Sequence, residues 1–350
     1  MADLSIIFAF PGELETQTGG YRYDRLIIEE LRSLGIKVET LSLPKSSLLL
    51  QTSSRQEIQQ KLASLPDRSI VIIDGLAYGV LDDLAVAEAE RLRIIALCHH
   101  PLAFENGLSA QKKKDLLHSE QRALQSARAT IVTSHFTKQL LVDQFDLAAE
   151  KIVVALPGTD KVSFAPCNGD PVRLLTVAAL IQRKGHDVLI DALASLKNFS
   201  WQARFVGGAD FDPDWASSLQ ESVDQLGLSA RISFDDSVED IRNEYQNADV
   251  FVLPSRFEGY GMVFAEALAA GLPVVGANSG AVSEVVPKEA GLLVPPDDCA
   301  SLTEALREIL SNDSTRRRLQ AGAQKAASGL PSWQESAQVM ARTLREVYAT

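Results

Sequence analysis

Short runs of consecutive apolar, often β-branched residues recur along this chain, each followed by a turn and then a helical pattern. LSIIFAF gives way to TGGYRYDRLIIEELRSLG, in which Leu26, Ile27, Glu30 and Leu31 recur at helical spacing and Gly35 stands at a C-cap. KVETLSL, SIVIIDG, IIALCHH and ATIVTS continue the series, and the last runs into HFTKQLLVDQF. Beyond Pro157 and the turn-rich PCNGDP at 166–171 the pattern restarts with VRLLTVAAL. QARFVGG, ARISFDD, ADVFVLPS, LPVVGAN and AGLLVPP then follow, separated by helix-like stretches. A strand that is apolar at every position has to bury both faces, and helices on both sides of a parallel sheet do that. The expected class is therefore doubly wound α/β.

A chain of 350 residues exceeds one ordinary domain, and the restart supplies a boundary. The reading is two Rossmann-like domains, 1–166 and 167–331, followed by an amphipathic helix over 332–350. The formal charge of −12 disfavours nucleic acid as a partner. Cys98, Cys167 and Cys299 are scattered and odd in number, without CxxC spacing, which fits a reducing cytoplasm better than a disulfide framework. No run approaches the roughly 18 apolar residues of a spanning helix. The opening LSIIFAF reads as a first strand and not as a signal peptide.

Ligands of open parallel sheets lie beyond the carboxyl ends of the strands. Four strand-end loops carry suitable residues: Gly19 and Gly20, His99 and His100, Arg183 and Lys184, and the stretch EGYGMVFAE at 258–266. Glu258 and Glu266 are eight positions apart; one continuous helix would separate them by ~12 Å along its axis. A carboxylate pair acting on one glycosidic bond wants roughly 5–9.5 Å. Gly259 and Gly261 make the first part a turn, so a helix is expected from about Met262, with Glu258 before it and Glu266 one turn in. That spacing suits one extended ligand touched twice.

The amides at Gly261, Met262 and Val263 open this helix and favour an anion. Arg183 and Lys184 add two cations suited to a diphosphate. For an isolated glutamate pair, or for two basic loop residues, a solvated surface is the plain alternative. Gly19 and Gly20 allow close approach to phosphate but lack the full GxGxxG, and no GxxxxGK[ST] is present. Adjacent strand residues face opposite ways, so one of His99 and His100 is expected to meet ligand and the other to be structural. No HExxH or histidine–carboxylate cluster is evident, so no metal is expected. Neither Ser134 nor Ser255 has a hydrolase motif around it.

Together these segments resemble family 4 of the retaining nucleotide-sugar glycosyltransferases, which have the GT-B fold. The match lies in EGYG with EALAAGLPVV (266–275), RKGHDVLIDAL (183–193), TGGYRYDRL (18–26), HHP (99–101) and AGLLVPPDD (290–298). The resemblance implies two Rossmann-like domains facing a central cleft, with the acceptor mainly on the first and the nucleotide sugar mainly on the second. The last helix would cross back to the first domain. Glu258 would contact the transferred sugar, Glu266 the ribose, and Gly261–Val263 with Arg183 and Lys184 the diphosphate. Gly19 and Gly20 would approach that diphosphate, His99 would touch the donor sugar, and His100 would lie on the acceptor or sugar side.

One departure is visible. Relatives often carry an arginine in GRL five residues before the lysine, where this chain reads Ala178-Ala179-Leu180; Arg183 is the candidate replacement. The expected activity is metal-independent transfer to a glycan, lipid or small-molecule hydroxyl with retention, needing no cofactor. The alternatives are an inactive nucleotide-sugar binder, a phosphorylase, or an epimerase of the same fold. Lys112, Lys113 and Lys114 read most simply as a solvated helix face; peripheral contact with anionic lipid at the inner membrane face is the second reading.

Overall fold

The protein is seen in a computed structural model that describes residues 4–45, 52–105, 107–236, 238 and 240–349. It divides into two compact units, residues 1–158 with 331–350, and residues 159–330. The first division falls earlier than the turn-rich 166–171 segment.

In the first unit β1 (Ser5–Pro11), β2 (Lys37–Leu43), β3 (Ile70–Asp74), β4 (Arg93–Cys98), β5 (Ala129–Val132) and β6 (Ile152–Val154) form one sheet. The order is β2-β1-β3-β4-β5-β6 and each pairing is parallel. Ile70 to Asp74 are buried at every position, as the unbroken apolar run requires. β6 was not foreseen: three residues at a sheet edge carry too little pattern to stand out. A helix at Trp333–Ala349 belongs to this unit. Its apolar face buries Trp333, Ala337, Met340, Leu344 and Val347. The Trp333 ring meets Tyr23 edge-on at 5.8 Å, and Ser336 donates to the Leu156 carbonyl.

The second unit repeats the architecture with β7 (Val172–Val177), β8 (Trp201–Val206), β9 (Ile232–Asp235), β10 (Val250–Leu253), β11 (Val274–Ala277) and β12 (Gly291–Val294). Their order is β12-β11-β10-β7-β8-β9, again parallel throughout. Its core is built on Phe205, Val250, Val252, Val275 and Leu302, each almost fully buried. Burying one side chain of this kind contributes roughly 1.5–3 kcal/mol.

The two expected doubly wound sheets are thus present. Their orders also locate the switch points, where successive connections leave in opposite directions and a crevice opens at the strand ends. The switch lies between β1 and β3 in the first unit, and between β7 and β10 in the second.

Candidate active site

The loops after β7 and β10 meet at the second switch point. After β7 the chain makes a tight turn over Gln182–Lys184 and enters a helix at His186–Ala194 through Gly185, whose φ is +69°. A Cβ on Gly185 would lie 2.3 Å from the Pro254 carbonyl oxygen, so only glycine lets the two loops touch here. The contact puts Lys184 beside Glu258. Lys184 Nζ lies 2.7 Å from Glu258 Oε1, and Ser255 Oγ donates to the same oxygen at 2.6 Å. Glu258 is only 5% exposed, which rejects the solvated-surface reading.

Burial alone would raise the Glu258 carboxyl. The charges of Lys184 and then Arg183, with hydrogen bonds from Lys184 and Ser255, outweigh it and hold the group below its ordinary range. The main chain is fixed as tightly. The Glu258 carbonyl accepts from Ala281 N–H at 2.9 Å, and a Cβ on Gly280 would come within 2.0 Å of it. Arg256 pairs with Asp187 and Asp297 at 2.7 and 2.6 Å, while its amide donates to the Arg183 carbonyl. Arg183 reaches the Phe257 carbonyl at 3.2 Å.

The expected helix begins at Met262 and runs to Ala269. Its N-cap, Gly261, has φ +91° and supplies no side-chain cap. The first closing bond is Phe264 N–H to the Gly261 carbonyl at 2.9 Å, so the Met262 and Val263 amides lie ahead of the intrahelical ladder. Glu266 sits one turn further on, half-buried, and accepts from Tyr245 OH at 2.8 Å. Glu258, Lys184, Arg183 and the Gly261–Val263 amides therefore belong to one pair of adjoining loops, with Glu266 on the helix that follows.

In the first unit Gly19 and Gly20 are not loop residues; they form the first turn of a helix, Gly19–Ser33, capped by Thr18. A Cβ on Gly20 would sit 3.5 Å from His99 Cδ2, an ordinary contact distance. His99 and His100 lie just past β4. His99 Nε2 is 3.0 Å from Asp24 Oδ1 and 3.3 Å from Asp74 Oδ2. This corrects the expectation that no histidine belongs to a carboxylate cluster. Asp24, Asp74 and His99 place one potential ligand atom each within 4.8 Å of one another, and they are the one such group among the described residues. These donor types could hold a divalent ion; the 3.0 Å separation is that of a hydrogen bond.

Burial alone would depress the His99 imidazole, but the charges and hydrogen bonds of Asp24 and Asp74 push it up to about 10. Burial, with repulsion from Asp74, raises the Asp24 carboxyl against the pull of His99. His100 is half-buried, with Nε2 3.5 Å from Glu105 Oε1.

Five participants escaped the sequence reading. Asp24 and Asp74 come from different elements, although Asp74 ends an apolar strand run, where a charged residue is a usable signal. Ser255 was weighed only as a nucleophile, whereas its spacing to Glu258 makes it a donor. Arg256 and Gly280 hold the Glu258 loop. Ser134 has a plain structural role, its Oγ accepting from Thr137 N–H at 2.9 Å as a helix N-cap. Lys113 and Lys114 are exposed, and Lys113 Nζ stands 4.8 Å above the Phe104 ring.

Two Rossmann-like units, with acid–base residues at the strand ends of each switch point, define a two-domain α/β protein of the GT-B type. The family model described as Glycosyl transferases group 1 matches residues 161–326, and the one described as Glycosyltransferase Family 4 matches residues 37–162. The chain belongs to this glycosyltransferase family, as the motifs anticipated.

Among its relatives is a D-inositol 3-phosphate glycosyltransferase of Xylanimonas cellulosilytica, 32% identical over 63% of this chain and 57% of that protein. Another is a mannosylfructose-phosphate synthase of Agrobacterium fabrum, 30% identical over 64% and 54%. The chain thus spans a little over half the length of the curated relatives it matches. A sucrose-phosphate synthase from Thermosynechococcus elongatus has the same fold, with a TM-score of 0.79 at 21% identity over 98% of this chain and 99% of that one. So does Anabaena HepE, solved with UDP-glucose, with a TM-score of 0.77 at 21% identity over 97% and 100%.

Proposed function

We propose that this protein transfers a glycosyl group from a nucleotide diphosphate sugar to an acceptor hydroxyl, with retention and without a metal or cofactor. The observation that carries this reading is the buried Lys184–Glu258 pair at the β7/β10 switch point, beside the side-chain-free helix start at Gly261. Breaking the bond from the anomeric carbon to phosphate develops negative charge on the diphosphate. In this reading Lys184, Arg183 and the amides of Gly261, Met262 and Val263 stabilise that charge, and Gly19 and Gly20 approach the same group. Glu258 meets the developing cationic sugar and Glu266 the ribose hydroxyls, while His99 touches the sugar and His100 lies on the acceptor side. The acceptor oxygen bonds to the anomeric carbon on the face that the phosphate leaves, and its proton passes to the departing phosphate oxygen. No second carboxylate is needed as a nucleophile.

The UDP-glucose in HepE makes UDP sugars the first donors to test. A thermal-shift screen of UDP, GDP, ADP and dTDP sugars should give one donor that raises the midpoint by mass action. With that donor, transfer to added acceptors should proceed in chelator, and NMR of the product should show the donor's anomeric configuration. An inverted product, or isomerised donor with no acceptor product, would reject the reading. The Ala178-Ala179 departure supports a second one, a nucleotide-sugar binder without turnover, for which calorimetric binding with no nucleotide release is the signature. A cytoplasmic location belongs to the same proposal, with weak lipid contact through Lys112–Lys114 as its membrane variant. None of the described helices is long and apolar enough to cross a membrane. Salt-sensitive liposome flotation decides the lipid contact.

A further inference from the structure

Glu266 is half-buried on its helix, and a long glutamate side chain there has rotamer freedom to lose when a ligand arrives. Tyr245 takes up that freedom beforehand. It lies on the short helix Ile241–Gln246 between β9 and β10 and is 2% exposed, with its hydroxyl 2.8 Å from Glu266 Oε2. The same hydroxyl stands 3.4 Å from the Val263 carbonyl. A phenol has one proton, and the carboxylate is both the nearer and the stronger acceptor. Each carboxylate oxygen accepts more than once, so this bond holds the group in place without using it up.

The phenol is itself fixed from two sides. Its ring begins a row of three, with Phe251 at 6.0 Å and Phe264 a further 5.4 Å on, edge-on to Phe251. Phe264 closes against Gly261, where a Cβ would come within 2.7 Å of the ring. The packing that places the phenol thus also underlies the helix start at Gly261. On the other side, Glu244 ties the short helix to β8 by meeting Arg204 at 2.8 Å, and Asp240 caps its first turn by accepting from Arg242 N–H. A carboxylate held in position before binding gives up less conformational entropy when it meets a hydroxyl.

We infer that Tyr245 is a positioning residue that sets the Glu266 carboxylate for the ribose, and that this pair makes the site select ribonucleotides over their deoxy forms. The ribose contact rests on the proposed function; the hold of Tyr245 on Glu266 does not.

The test is calorimetric titration of the full chain with UDP, GDP and ADP, followed by the 2′-deoxy and 3′-deoxy forms of whichever binds tightest. A hydrogen bond to a charged group predicts that wild type binds the weaker deoxy form roughly 10–100-fold less tightly. In Tyr245→Phe, which keeps the ring and loses only the hydroxyl, that ratio should shrink at least threefold while affinity for the weaker deoxy form changes less than twofold. In Glu266→Ala the ratio should vanish, and adding Tyr245→Phe should alter it no further. A merely structural role for Tyr245 would weaken all forms alike and leave the ratio standing. A ratio that shrinks less than threefold in Tyr245→Phe overturns the inference and leaves the functional reading intact. So does a wild-type protein that binds the nucleotide and its deoxy forms within threefold, a measurement that needs no variant to fold. Absence of binding by all three nucleotides would instead overturn the functional reading, and the inference with it.

Discussion

The Lys184–Glu258 contact makes the obvious variants unequal. Removing the lysine leaves a carboxylate that is 5% exposed without its main counter-charge, and breaking a buried pair from one side costs about 3–5 kcal/mol. Lys184→Ala should therefore lower the unfolding free energy by an amount of that order, measurable by urea denaturation. Glu258→Gln keeps the shape and an acceptor oxygen for Ser255. It should lose less stability than Lys184→Ala while turnover falls about 10²–10³-fold, the loss expected when one transition-state contact goes. A Glu258→Gln protein with near-normal turnover would remove Glu258 from the chemistry. At this scale the sequence was legible wherever one short segment holds the whole signal. EGYG carries its own turn, carboxylate and helix start. Asp24, Asp74 and His99 were illegible as a group because strand order, not spacing along the chain, brings them together.

Two glycines with nearly the same backbone show how the Glu258 loop depends on its neighbours. Gly280 and Gly227 have φ of +60° and +64°. A Cβ on Gly227 meets nothing within 4 Å, while one on Gly280 would lie 2.0 Å from the Glu258 carbonyl oxygen. Gly227→Ala should cost only the left-handed backbone strain, about 1–2 kcal/mol, with transfer unaffected. Gly280→Ala should cost more and depress kcat, because the Glu258 main chain has to move. Equal melting points and equal turnover for the two variants would contradict this. Most strands were legible since an unbroken apolar run has few other uses. β6 and the first helical turn at Gly19 were not: the strand is too short to show a period, and two adjacent glycines argue locally against helix.

The two units should respond oppositely to pH. In the first, the Asp24 and His99 ionisations are raised, and burial, the largest cause, pushes Glu120 up to about 7 although it accepts from the Ala103 and Leu102 amides. A raised folded value means the native state binds more protons than the unfolded chain, so stability falls as pH climbs. The carboxyl contributions are complete below their ordinary values of about 4 and are lost toward neutrality. The His99 contribution is complete below ~6.5 and is lost toward about 10.

In the second unit Glu258 and Asp249 are lowered, and burial, the largest cause, forces His186 down to about 3. Those contributions are complete above ~6.5 and are lost as pH falls. Hydrogen exchange corrected for intrinsic rates should therefore show core protection declining on the alkaline side in residues 4–158, and on the acid side in residues 159–330. A common dependence in both would refute the assignment.

The helix at Trp333–Ala349 gives the first unit a dependence on time as well as on pH. Tyr23 and the Leu156 carbonyl wait for partners that the ribosome makes only after the whole of residues 159–330. At ~5–20 residues per second, the intervening stretch alone takes roughly ten to thirty seconds to synthesise. Throughout that interval the first unit has an uncovered apolar seam, and by its end the second unit has all of its own strands. The later half of the chain is thus the one equipped to finish folding first, and a nascent chain stalled before Trp333 would offer a chaperone its target on the earlier half.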